Sequence, residues 1–213
     1  MTTKERPILF SGPMVRAILE GKKTQTRRVV KRQCDMEFDP ADPHFGPYWL
    51  SYATEAEGED AKVRCPYGEP GDSLWVRETW AVPHEYDAMA PSEIGASAPW
   101  HYAATEDLGG LRKRQSIFLP RRGSRITLEI TGVRVERLQQ ISEADATAEG
   151  IAELSLQDGE HGAWWSAAPD RRLHSRTPRG AFFRLWRSIH GKGSWDANPW
   201  VWVVEFQRVE VEQ

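Results

Sequence analysis

The sequence holds little cysteine and no long apolar run. Cys34 and Cys65 are the two cysteines among its 213 residues, which is too few for a disulfide framework. No apolar run approaches the roughly 20 residues that span a bilayer. The N-terminal segment MTTKERPILF lacks the continuous apolar stretch of a signal peptide. We therefore expect a cytoplasmic protein with two free thiols and no membrane partner.

Metal-ligand spacing is also missing. The six histidines are scattered along the chain, whereas a zinc site needs three or four clustered ligands, usually with some of them closely spaced. The sequence therefore predicts neither a metal site nor another cofactor. Whole-chain disorder is excluded as well, because 39% of the residues are hydrophobic and 10% are aromatic.

The net charge of −3 conceals a segregation of charge along the chain. The first 34 residues carry nine Lys or Arg and two acidic residues, and residues 111–125 carry six Lys or Arg and no acidic residue. Residues 35–64 instead carry eight acidic and two basic residues. Two interpretations remain open: solvated faces that balance each other, or a basic groove for a phosphate-bearing ligand such as RNA.

Hydrophobic periodicity and turn residues predict more strands than helices. Alternating or β-branched residues favour strands, and apolar residues at helical spacing favour short helices. The predicted strands cover residues 8–10, 24–30, 73–80, 124–138 and 200 to about 211. The predicted helices cover about 13–20, 142 to about 148, and 182 to near Gly191. No strand–helix–strand alternation appears, so the expected class is α+β with a mainly antiparallel sheet or barrel.

Three stretches lack sustained periodicity and are interpreted as surface insertions on a single domain spanning residues 1–213. They cover about 31–66, 81–123 and 152–178. Within the strand at 124–138, Gly132 interrupts the alternation and predicts a β-bulge.

A set of short motifs lies on the regular elements. Lys23-Thr24-Gln25-Thr26-Arg27-Arg28 follows a helix and a glycine, the turn at 67–72 opens a strand, Glu149 ends a short helix, and a Trp-rich strand begins at Trp200. In this combination the chain resembles the ASCH domain family of the PUA-like superfamily, over residues 7–30, 67–80, 124–150 and 180–209. It is most similar in kind to the longer members that phages and prophages often encode.

The resemblance implies a PUA-like, mainly antiparallel β-barrel flanked by short helices, with a cleft for nucleic acid or a nucleotide-sized ligand. Some members of the family hydrolyse the N4-acyl amide of acetylated cytidine. Their motif corresponds here to Lys23, Thr26, Arg28 and Glu149. The resemblance therefore implies an amidohydrolase in which Thr26 is the nucleophile, Lys23 its base and Arg28 a ligand of the substrate carbonyl or oxyanion.

This chemistry makes two demands on the fold. Lys23 can act as a base only if burial or the neighbouring cations Lys22, Arg27 and Arg28 lower its pKa. On an ideal strand Lys23 would point away from Thr26, so residues 21–23 must still belong to a turn.

The helix dipole would disfavour a carboxylate at Glu149 and suit this residue to deliver a proton to the leaving amine. Removal of the polar side chains of Lys23, Thr26 and Glu149 is expected to change the stability of the protein little.

Aromatic residues outside the periodic segments are candidates to stack on a base. They are Tyr102, Trp80, Trp100, Trp164 and Trp165.

Two alternatives to the nucleoside amidohydrolase remain open: a non-catalytic module that binds RNA or a modified base, and a ribonuclease. The basic residues of 111–125 favour these alternatives, and polynucleotide binding by them would weaken steeply with salt.

Overall fold

The computed structural model describes residues 3–31, 33, 49–53, 60–154, 162–167 and 173–209. The described strands are β1 (Glu5–Leu9), β2 (Gln25–Val29), β3 (Trp49–Ala53), β4 (Asp60–Arg64), β5 (Ser73–Arg77), β6 (Trp80–Ala81), β7 (His101–Tyr102), β8 (Thr127–Arg137), β9 (Ala152–Glu153), β10 (Trp165–Ser166) and β11 (Trp200–Val209). The described helices are α1 (Gly12–Leu19), α2 (Glu143–Ala148) and α3 (Pro178–His190), with single 3₁₀ turns at His84–Tyr86, Ser116–Phe118, Arg121–Gly123 and Leu138–Gln140.

One five-stranded sheet organises the described chain, in the order β1-β5-β8-β11-β2. The β1–β5 pair is parallel, and the other three pairs are antiparallel. The predicted α+β class with a mainly antiparallel sheet is therefore confirmed. The bulge is also confirmed: Gly132 pairs with Glu205, whereas Phe206 pairs with Ile130, so β8 has one extra residue at this point.

The sheet does not close into the expected barrel. Its edge strands β1 and β2 form no backbone ladder with each other in the described chain. The edges are bridged by a side chain instead, because Arg28 Nη2 of β2 donates a hydrogen bond to the carbonyl oxygen of Leu9 at 2.7 Å. Pro7 lies in β1, where its missing N–H is tolerated because β1 is an edge strand.

Separate apolar clusters cover the two faces of the sheet. Ile8, Phe10, Leu74, Trp202 and Phe206 belong to a cluster that also contains residues of α1. On the other side, alternate β11 residues such as Val201 and Val203 join Phe182 and Trp186 of α3. This alternation follows from the two-residue period of the strand.

The stretch 81–123, interpreted as an insertion, contains its own apolar core. Trp80, Val82, Ile94, Ala98 and Leu119 are buried together. Strands β6 and β7 and three of the 3₁₀ turns lie at this end of the molecule. The other two stretches contain the paired strands β3–β4 and β9–β10, and parts of both lie outside the described residues. No helix in the described ranges is long and apolar enough to cross a membrane.

Candidate active site

Lys23 sits in the turn that leaves α1, as the predicted chemistry requires. The N–H groups of Lys22 and Lys23 both donate to the Ala17 carbonyl, at 2.8 and 3.0 Å, and Gly21 has a φ of +70°. This left-handed glycine ends the helix and turns the chain. Strand β2 begins only at Gln25. Residues 21–23 therefore belong to the turn, so the alternation of side-chain directions along β2 does not apply to Lys23.

The Lys23 ammonium group is buried and fully hydrogen-bonded. Its side chain is 0% exposed. Nζ donates to Glu149 Oε2 at 2.7 Å, to the Glu149 carbonyl at 2.8 Å and to the Gln25 carbonyl at 2.8 Å. These three acceptors match the three hydrogens of an ammonium group. The geometry therefore fits a protonated lysine paired with a carboxylate.

Helix α2 and the glycine after it hold Glu149 in place. Ser142 caps the start of α2 by accepting a hydrogen bond from the Asp145 N–H at 3.0 Å. Glu149 is the C-cap residue, and Gly150 follows with a φ of +96°. A Cβ on Gly150 would lie 3.2 Å from Lys23 Cβ. A side chain at position 150 would therefore crowd the lysine as well as strain the backbone.

Thr26 and Arg28 lie on the face of β2 that looks towards Phe10. The alternate residues Gln25 and Arg27 hydrogen-bond to α2, so Thr26 and Arg28 point to the opposite face. Lys23 Nζ lies 5.7 Å and Arg28 Cζ lies 5.3 Å from the centroid of the Phe10 ring. Both cations therefore lie within 6 Å of one aromatic ring, and Thr26 shares the face of β2 with Arg28.

The Thr26 hydroxyl is uncommitted in this structure. Thr26 is 3% exposed, and its hydroxyl makes no hydrogen bond within the described part of the chain. Arg28 is only partly buried and uses one guanidinium N–H for Leu9. Both side chains therefore keep hydrogen-bonding capacity for a ligand.

Burial lowers the pKa of Lys23 below its ordinary value. The attraction of Glu149 opposes this effect, and the positive charges of Arg28 and Arg27 add to it. The direction is the one that a catalytic base requires. Lys22, which was expected to contribute, instead pairs with Glu20 at the surface, at 2.7 Å.

Arg27 links Glu149 to further carboxylates on the α2 side of the sheet. Its side chain is 0% exposed. Nη1 donates to Glu149 Oε1 at 3.2 Å, and Nε donates to Glu136 Oε1 at 3.1 Å. Nη2 also lies 3.4 Å from Asp145 Oδ2. Lys23 and Arg27 thus hold the two carboxylate oxygens of Glu149, which offsets the cost of a negative charge at a helix C-terminus.

Arg134 extends this arrangement towards the surface. It donates to Glu136 Oε2 at 3.1 Å and Asp145 Oδ1 at 2.8 Å, and it also pairs with Glu205. Burial alone would raise the pKa of Asp145, but hydrogen bonds from Ser142 and Gln25 and the charge of Arg27 lower it to about 2. We refer to Lys23, Arg27, Arg134, Glu136, Asp145 and Glu149 as the charge network.

Three of the predicted substrate-binding residues make contacts with other parts of the protein. Trp80 is 0% exposed, so its ring has no free face on which a base could stack. Trp100 packs on it with ring centroids 5.0 Å apart. Tyr102 donates to the Gly123 carbonyl at 2.8 Å and has Arg125 4.1 Å from its ring centroid. No hydrogen bond or ring contact of the described residues joins these three side chains to Lys23, Thr26 or Arg28.

The two remaining aromatic candidates, Trp164 and Trp165, are also engaged. Arg176 lies 3.8 Å from the Trp164 ring centroid, and the His174 ring packs edge-on at 4.6 Å. Trp165 belongs to β10 and packs against the α3 cluster. Among the described residues, no group of three or more His, Cys, Asp or Glu side chains is arranged to hold a metal ion.

Comparison of the chain with protein-family models, with curated proteins and with solved structures finds no match.

Proposed function

We propose that the protein is an amidohydrolase that removes the N4-acyl group of N4-acetylcytidine or a related acylated cytosine derivative. The observation that carries the proposal is the buried Lys23–Glu149 pair, whose lysine lies, like Arg28, within 6 Å of the Phe10 ring centroid. Thr26 shares the face of β2 with Arg28, and its hydroxyl makes no hydrogen bond in the described chain. Acyl transfer requires a nucleophile, a base that can pass its proton to a neighbouring acid group, and a hydrogen-bond donor to the oxyanion.

The pair first redistributes its proton. Lys23 transfers one proton to Glu149 Oε2, 2.7 Å away, which leaves a neutral amine and a neutral carboxylic acid. The buried setting favours this exchange because two charges become none in a site that is poorly solvated. Arg27 keeps its hydrogen bond to Oε1, so the carboxyl group stays in position.

The acyl group is then transferred to Thr26. The Lys23 amine accepts the Thr26 proton as Thr26 Oγ1 attacks the amide carbonyl carbon, and Arg28 donates to the oxyanion that forms. When the C–N4 bond breaks, Glu149 gives its proton to the leaving N4 amine. Cytidine departs, Thr26 carries the acyl group as an ester, and Lys23 and Glu149 are again a charged pair.

Water completes the cycle through the same groups. After a second proton transfer from Lys23 to Glu149, the amine accepts a proton from the attacking water. Collapse of the second intermediate releases the carboxylic acid, and the departing Thr26 oxygen takes its proton from Glu149. The protonation states then equal those at the start.

Glu149→Gln tests the proton donor. The change preserves the shape of the side chain and removes its acidic proton, so we expect kcat to fall by about 10²- to 10⁴-fold with a smaller change in KM. Steady-state kinetics with N4-acetylcytidine measure both parameters. Glu143→Gln is the matched control, because Glu143 is exposed and lies on the same helix. A Glu149→Gln variant with the kcat of the wild-type protein would contradict the assignment.

Treatment with a chelator tests the metal-free scheme. Threonine, lysine and glutamate supply every proton transfer in the proposed cycle, so we expect hydrolysis to continue at its full rate in excess EDTA. The measurement is the rate of cytidine release before and after dialysis against the chelator. If chelation abolishes hydrolysis and Zn²⁺ or Mg²⁺ restores it, the threonine mechanism is wrong.

A further inference from the structure

A second candidate site lies on the stretch 81–123 and shares no lining residue with the candidate active site. It is a groove of about 450 Å³ between the residues after β6 and the segment 112–118. Apolar and basic side chains line it together: Met89, Pro91, Phe118, Arg112, Lys113 and Arg114. Its size lies in the range of ligand pockets.

Strand β6 separates this groove from the residues near α1. The Trp80 backbone pairs with Tyr102 of β7 on one side and with Arg114 on the other. Ala104, which follows β7, has its carbonyl oxygen bound by Arg16 of α1 at 2.9 Å. A ligand in the groove therefore binds on the far side of β6 from α1.

Most cations of 111–125 are engaged by the protein itself. Arg121 forms two hydrogen bonds with Glu5, both 3.0 Å long, and Arg125 forms two with Glu78, at 2.9 and 3.0 Å. Arg122 likewise donates to the Ser92 carbonyl, so the basic residues of this stretch that line the groove are Arg112, Lys113 and Arg114.

The groove cations retain positive charge for a ligand. Lys113 is exposed and has no partner in the described chain. Arg112 donates only to the Asp87 carbonyl among the described residues, at 3.2 Å. Arg114 differs from these two residues, because its side chain is 10% exposed and its Nη1 and Nη2 donate to the carbonyl oxygens of Met89 and Tyr86, at 3.1 and 2.7 Å. Asp87 is the acidic residue of the lining, and its carboxylate lies 3.9 Å from Arg114 and 3.0 Å from His84 Nδ1. In the described chain, no acidic side chain forms an ion pair with Arg112 or Lys113.

Phe118 supplies an exposed aromatic surface beside these charges. Its side chain is 58% exposed, although an aromatic ring of this size is usually buried. Nucleobases of a single strand stack on such rings, and a lysine or arginine beside the ring binds the phosphates of the same strand. A nucleotide offers both partners, a planar base and a phosphate, within one unit.

We propose that this groove binds single-stranded nucleic acid, with one base stacked on Phe118 and the adjoining phosphates bound by Arg112 and Lys113. A duplex fits less well, because its bases are stacked on one another and present no free face. The inference does not depend on the proposed hydrolysis, since it concerns other residues and is measured as binding.

The test is fluorescence anisotropy of a labelled short oligocytidylate with the Thr26→Ala protein, in which turnover is not at issue. We expect binding that weakens with salt, with a slope of log K against log salt of about −1.4 for two phosphate contacts. Lys113→Gln should reduce the steepness of this slope by about 0.7. Phe118→Ala should weaken binding about 5- to 150-fold, as the loss of one stacked base does.

Ile117→Ala and Lys192→Gln are the matched controls. Ile117 is 51% exposed and adjacent to Phe118 but does not line the groove, and Lys192 is an exposed lysine elsewhere. Both variants should bind like the parent protein. The proposal is overturned if the oligonucleotide does not bind at low salt, if Phe118→Ala has no larger effect than Ile117→Ala, or if CMP competes as well as the unlabelled strand.

Discussion

We expect Thr26→Ala to lower kcat for N4-acetylcytidine by about 10³-fold or more, because no other group in the scheme can carry the acyl ester. Thr26→Ser keeps a hydroxyl at the same position and should retain part of the activity. Thr26 is buried but its hydroxyl has no partner in the described chain. The alanine variant therefore loses little besides a methyl group and a free hydroxyl, and thermal unfolding should show a folded protein.

The base should be as indispensable as the nucleophile. Lys23→Met removes the amine while keeping the length of the side chain, and we expect it to abolish most turnover. Since a nucleophile and its base act in the same step, the double variant Thr26→Ala/Lys23→Met should be little slower than either single variant. Steady-state rates of cytidine release test this. Additive losses would show that the two residues act independently.

We expect Arg27→Met to lower the free energy of unfolding by about 3–5 kcal/mol, which is the cost of removing one partner from a buried ion pair. Arg27 is completely buried and contacts Glu136, Asp145 and Glu149. Methionine fits the length of the side chain but leaves Glu136 and Glu149 each with one remaining cation partner. Urea unfolding followed by circular dichroism measures the change.

Arg121→Met provides the matched comparison. Arg121 pairs with Glu5 through two hydrogen bonds, but both side chains are more than 40% exposed. A pair of this kind contributes about 0–1 kcal/mol. Equal destabilisation by Arg27→Met and Arg121→Met would mean that the charge network does not hold the sheet and α2 together.

The regular elements were predictable because their signals are local. Ser142 and Gly150 delimit α2, and alternation defines β8 and β11. The core of 81–123 was missed since Trp80, Ile94 and Leu119 follow no helix or strand period. The open sheet was also missed, because whether β1 and β2 pair depends on the curvature of the whole sheet.

The charge network was the main omission at the candidate site. Arg27 lies 109 residues from Glu136 and 122 residues from Glu149 in the chain, and no local pattern reports contacts over such separations. The small change of stability expected for removing Lys23 or Glu149 was based on a short polar side chain, whereas both residues are buried and paired, and their removal should therefore cost more stability than that of Thr26. One signal was available: Arg27 alternates with Thr26 and Arg28, so it had to face the opposite side of β2.

The charge network also suggests how stability and the proposed chemistry are connected. Arg27 fixes one oxygen of Glu149, and this leaves the other oxygen aimed at Lys23. The pair can then exchange a proton without moving the carboxyl group. Arg27 is in this sense a positioning residue, and its loss should affect the rate as well as the fold.

Incubation of the purified protein with N4-acetylcytidine, with cytidine and acetate quantified over time, tests whether this chain is the proposed amidohydrolase. We expect many turnovers per protein molecule, release of the two products in equal amounts, and near-complete loss of this activity in Thr26→Ala. Failure of the wild-type protein to release cytidine, or equal activity of the Thr26→Ala variant, would contradict the proposed function.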